Sequence, residues 1–166
     1  MDSAGFAGFT SEESWPEGPL VLGVTWQPSE RLARIASGLA ASLGVHLVCA
    51  FVDPASYLTE WNPVGSRTAV SLDPAANDEA QFPSGHVLRS LEALLGPPGA
   101  GWSFRVLNGD VSQALARLAE STGASLLIVG GPRAGVLARV DRILEGSVSV
   151  ALARTQPRPV LVVPGA

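Results

Sequence analysis

The sequence predicts a doubly wound α/β domain, in which a five-stranded, mostly parallel sheet carries helices on both faces. Three observations lead there. Short apolar runs alternate with stretches of 3.6-residue apolar period. Two of the runs, His46 to Val52 and Leu126 to Val129, are continuously apolar, as parallel strands covered on both faces are. Helix starts and stops fall between them, with Ser29 and Asp110 as N-caps and Gly44 and Gly123 as terminators.

Each element follows from its own residues. Leu20 to Thr25 read as the first strand. Pro28-Ser29 then open a helix with apolar positions Leu32, Ile35, Ala36, Leu39 and Leu43, stopped by Gly44. The second strand ends at Asp53-Pro54, where a long interruption of about residues 53–83 begins, spaced by Pro54, Pro63, Pro74 and Pro83. Loops of that length are either functional lids or surface excursions. Ser84 is expected to cap a helix carrying Val87, Leu88, Leu91, Leu94 and Leu95, with His86 in its first turn. Trp102, Phe104 and Val106 alternate with polar residues, as on an edge strand with one wetter face. Asp110 caps a helix built on Val111, Ala114, Leu115, Leu118 and Ala119. The strand Leu126 to Val129 runs into a glycine loop, Gly146-Ser147 open a further helix, and Pro159 to Val163 form the last strand. The organisation is therefore a poorly ordered tail over 1–18 and a single domain over 19–166.

Composition limits the function. The 166 residues are 46% hydrophobic and 16% charged, which suits one domain with a sizeable core. A formal charge of -4 and a pI near 5.1 argue against nucleic acid and anionic membrane as partners. All 11 basic residues are arginine, which removes a P-loop lysine and Schiff-base chemistry. Cys49 is the single cysteine, so no internal disulfide or CxxC pair is available, as expected in a reducing compartment. Neither a membrane span nor a signal peptide is recognisable, and a cytoplasmic location is the expectation. His46 and His86 have no partners at metal-ligand spacing, and no G-x-S-x-G elbow or G-x-G-x-x-G fingerprint is present where either would act. Nothing in the residues specifies an enzyme.

Ligands of such sheets gather beyond the carboxyl ends of the strands, where the winding reverses. That places interest on Thr25-Trp26 and on Gly130, Gly131, Arg133 and Gly135, followed by Gly146, Ser147, Val148 and Ser149. A helix start offers free N–H groups and a partial positive charge, so a glycine loop meeting one forms an anion site without lysine. Ser147 either contacts phosphate or simply caps its helix. Gly130 and Gly135 either line phosphates or satisfy a turn at positive φ. Arg133, with Arg139 and Arg142, reads as phosphate partners or as a solvated face balanced by Asp141 and Glu145. Trp26 either stacks on a base or plugs the pocket.

The first strand, the AFVDP end of the second, the glycine loop, GSVSVALARTQ and the closing RPVLVVP together resemble the universal stress proteins. The resemblance implies strand order 3-2-1-4-5 in a Rossmann-like, adenine nucleotide alpha-hydrolase-like fold. It also implies a regulatory protein binding ATP, with Mg2+ following the phosphates, and a homodimer paired through Pro159-Val163. Phe51 and Val52 match the positions that touch the base. The family's ATP pattern is G-x2-G-x9-G-[ST]; here four residues separate Gly130 from Gly135 and ten separate Gly135 from Gly146, a longer loop. Thr25 also stands where binding members commonly carry aspartate. A homodimeric interaction module without nucleotide is the alternative on the same fold.

Overall fold

The computed structural model describes residues 17–53, 74–131 and 148–164, with side chains of 74–83 excepted. Its strands are β1 (Leu20–Val24), β2 (Leu47–Asp53), β3 (Trp102–Asn108), β4 (Leu126–Gly130) and β5 (Val160–Val163). Between them lie α1 (Glu30–Leu43), α2 (Pro74–Leu95), α3 (Val111–Thr122) and α4, described over residues 148–155. All pairings are parallel, in the order β3-β2-β1-β4-β5. The expected fold class and strand order are both present.

The period of two in β1 explains how one sheet serves two cores. Leu20, Leu22 and Val24 face α1 and α2, joined by Cys49, Phe51 and Ile128; Val21 faces α3 and α4 with Val48, Leu127 and Leu152. Full burial of each such aliphatic side chain contributes about 1.5–3 kcal/mol, so the sheet is held from both sides.

Caps delimit α1 and α3 as the sequence predicts. Leu32 N–H donates to Ser29 Oγ at 3.4 Å, and Gly44 closes α1 at φ 67 with its N–H turned back to the carbonyls of Ala40 and Ala41. Gln113 N–H donates to Asp110 Oδ1 at 3.0 Å, and Gly123 ends α3 at φ 62. The buried stripe of α1 is Leu32, Ala33, Ala36 and Ala40, whereas Ile35 and Leu43 are exposed. Small alanines let α1 lie close to the sheet, which turns the two bulkier residues outward.

Two expectations are corrected. Ser84 does not begin its helix, because α2 starts at Pro74, and His86 accordingly lies in the helix interior. Residues 74–83, expected as loop, are helical; the rest of that segment, residues 54–73, lies outside the described residues. Pro83 and Gly85 are poor interior helix residues and mask the helix from a propensity reading. The apolar positions Val87 and Leu91 are buried as expected. The expected tail falls outside the described residues except at its end, where Gly18 is tied down. Its carbonyl accepts from Ser125 Oγ at 3.0 Å, and a Cβ at Gly18 would collide with the Gly123 carbonyl.

Among the described residues no helix is long and apolar enough to cross a membrane. Burial pushes the Cys49 thiol up to about 12, so almost no thiolate forms at neutral pH. The folded protein will therefore resist an aromatic disulfide thiol reagent, with one equivalent reacting only after denaturation; rapid reaction in the native state contradicts this packing.

Candidate functional site

The carboxyl ends of the strands enclose a cavity of about 520 Å³. The chain leaves the carboxyl end of β1 for α1 on one face, whereas α4, which follows β4, packs on the other through Leu152, so a crevice opens between the carboxyl ends of β1 and β4. Seven residues expected from sequence line it together: Thr25, Trp26, Phe51, Val52, Gly130, Gly131 and Val148. Ser149 is half-buried in α4 and is not part of the lining. Arg133, Gly135, Gly146 and Ser147, with Arg139 and Arg142, lie outside the described residues.

The floor is apolar, made by Leu22, Ala50, Phe51, Val129 and Leu115. Gly23 keeps it deep, because a Cβ there would stand only 3.0 Å from Leu115 Cδ1. Trp26 stands at the rim, 46% exposed, and its ring stacks against His86 of α2 with centroids 5.7 Å apart and planes 29° apart. It contributes to the lining of the cavity from the turn after β1. The Thr25 hydroxyl donates to the Gln27 carbonyl at 3.0 Å, which tightens the turn that presents Trp26.

Of the two readings of Gly130, the positive-φ turn is removed and a place in the cavity lining remains. Gly130 and Gly131 are not at positive φ. A Cβ at Gly130 would meet Leu32 Cδ2 at 3.5 Å, an ordinary contact. Gly131 is crowded by Pro164 and Val162, and its N–H donates to the Val163 carbonyl at 2.7 Å. That amide holds the end of β5 and is not offered to a ligand.

Sequence reasoning missed two charged residues of the lining, Arg31 in the first turn of α1 and Asp110 at the start of α3. Asp110 was legible only as a cap. Its Oδ1 accepts from Ser112 Oγ at 2.6 Å and from Gln113 N–H, and these bonds hold the carboxyl below its ordinary range. His46 lies away from the site: Nδ1 donates to the Ala100 carbonyl at 2.9 Å and Nε2 pairs with Ser103 Oγ at 2.9 Å, a structural role. No group of three metal-ligating side chains occurs among the described residues.

A family model for the universal stress protein family matches residues 20–164. The chain belongs to the universal stress protein family. A universal stress protein from Archaeoglobus fulgidus superposes with TM-score 0.61 at 17% identity, covering 88% of this chain and 98% of its own. A universal stress protein solved in complex with cAMP gives TM-score 0.58 at 22% identity, covering 90% and 98%. A third, from Archaeoglobus fulgidus in complex with dAMP, gives 0.52 at 16%, covering 89% and 98%. These likenesses establish the fold. A comparison with curated proteins found no match.

Because the Asp110 carboxyl is depressed in the folded state, the stability it adds is present above the ordinary carboxylate range and is lost as pH falls through its folded value. Asp110→Ala is expected to cost about 1 kcal/mol at neutral pH. The gap from wild type should narrow below roughly pH 4, as denaturant titrations at both pH values will show; a gap independent of pH contradicts the assignment.

Proposed function

We propose that this universal stress protein is a regulatory module that binds an adenine nucleotide, ATP with Mg2+, in the cavity at the β1/β4 switch point. One observation carries the reading: an open, apolar-floored cavity of about 520 Å³ gathers the family's expected contact positions from four separate elements. Small-molecule sites typically span roughly 300–1,000 Å³ and combine apolar walls with few polar groups. A purine packs between the Phe51-Val52 end of β2 and the rim, with Trp26 available for stacking. The phosphates extend toward Gly130 and Val148, the two described residues between which Gly135, Gly146 and Ser147 of the family pattern lie in sequence. The Mg2+ ion arrives on the phosphates, since the described lining contributes a single carboxylate. The solved relatives holding cAMP and dAMP add support to the adenine class.

Calorimetric titration of nucleotide-stripped protein with MgATP to about 1 mM reaches interactions as weak as roughly -4 kcal/mol. Saturable heat is expected. Gly130→Ala should fold with near wild-type stability, because a Cβ there makes only an ordinary contact with Leu32, yet narrow the cavity and weaken the heat. No heat from wild type overturns the nucleotide reading and leaves the interaction module.

The same chain is proposed to form a two-fold dimer through β5. This strand is the sheet edge, and Val162 on it is 41% exposed, an unpaired apolar edge that a second copy would cover. Val162→Asp is expected to halve the mass measured by light scattering; an unchanged mass removes β5 as the interface.

A further inference from the structure

Among the described lining residues only Arg31 and Asp110 carry charge, and they come from helices on opposite faces of the sheet. Arg31 belongs to the α1 turn whose Leu32 lies against Gly130, at the β4 end of the crevice. Arg31 has no ion pair or hydrogen bond among the described residues, whereas its neighbour Arg34 is engaged with Glu30 at 2.8 Å. Asp110 follows β3 after Gly109, and β3 is the edge strand separated from β4 by β2 and β1. Adjacent strands lie about 4.8 Å apart, so β3 and β4 are separated by roughly 14 Å across β2 and β1. The cavity is thus polarised along its length, with an uncommitted cation at one end and a carboxylate at the other.

We infer that this polarity orients the ligand: Arg31 binds the phosphate, and the Asp110 carboxylate accepts hydrogen bonds from the N–H and O–H donors of the nucleoside. The inference rests on the nucleotide reading and adds two residues and a direction to it. A guanidinium supplies a planar pair of donors suited to a phosphate. An ionised carboxylate repels phosphate and attracts amine or hydroxyl donors, so a nucleotide entering the reverse way meets like charge at one end and an unmatched cation at the other. With Thr25 at the end of β1, Asp110 is the only carboxylate that the described lining offers to the nucleoside.

The test compares adenosine with AMP on the full chain, by calorimetry at low and moderate salt. For wild type, AMP should bind about tenfold more tightly than adenosine, an advantage that shrinks with added salt. Arg31→Gln should bring AMP down to the level of adenosine while leaving adenosine unchanged. Asp110→Asn keeps a capping side chain while removing the charge, and should weaken both ligands about fivefold with the AMP advantage intact. Thermal melting of both variants confirms that they fold. An Arg31→Gln protein that retains the AMP advantage, or loses adenosine affinity equally, overturns the assignment while the nucleotide reading stands. An Asp110→Asn protein that binds adenosine as wild type does overturns the carboxylate's part. Absence of binding of either ligand to wild type overturns both the orientation and the reading beneath it.

Discussion

The reversal of winding between β1 and β4 is the constraint on which the rest of this molecule depends. β1 is paired on one side to β2 and on the other to β4, both in parallel, so each neighbour is reached through a crossover of fixed hand. The crossover through α1 covers one face and that through α3 covers the other. Beyond their carboxyl ends, β1 and β4 are followed by helices on opposite faces of the sheet, α1 and α4, which leaves a crevice between those two strand ends. The cavity follows from topology before any side chain is considered. Side chains decide what it becomes: Gly23, Ala33 and Ala50 line it without filling it, and Leu115 and Val129 supply a dry wall.

Much of this architecture was legible in the sequence because the signals were local. Ser29 with Gly44 and Asp110 with Gly123 bracket their helices through backbone amides and left-handed turns that few other residues provide. The apolar runs of β2 and β4 reflect burial on both faces, which no other element of this length requires. Where reading failed, tertiary packing overrode the local pattern. Ile35 and Leu43 satisfy a helical period but lie at its margin, and the closer fit of Ala33 and Ala40 turned the stripe away from them. α2 continues through Pro83 and Gly85, whose local preferences oppose a helix.

The site was half legible for a similar reason. Thr25 and Gly130 could be named from the rule that ligands gather beyond strand ends where the winding reverses, whereas Phe51 and Val52 were named from the family resemblance. Arg31 and Asp110 reach the same space from helix starts, and nothing in their spacing distinguishes them from ordinary first-turn and capping residues. Their role comes from the convergence of α1 and α3 over one crevice. Gly131 shows the opposite error, since a glycine that reads as a phosphate-facing amide instead secures β5.

An acidic chain without lysine that takes an anionic ligand must do so through local fields, because its net charge of -4 opposes the approach. Those fields are short-ranged, falling off within about 8–10 Å at physiological salt. The amides that begin α1 and α3 are partly committed to Ser29 and Asp110, and Asp110 brings a negative charge of its own. Attraction for phosphate is therefore excluded from the β3 side of the cavity and concentrated at the β4 side, where Arg31 stands free. The apolar floor between them serves the electrostatics as well as the base. A ligand seated across that floor displaces water from it and lowers the local dielectric, so two exposed charges that would interact weakly in solvent act more strongly on the bound ligand.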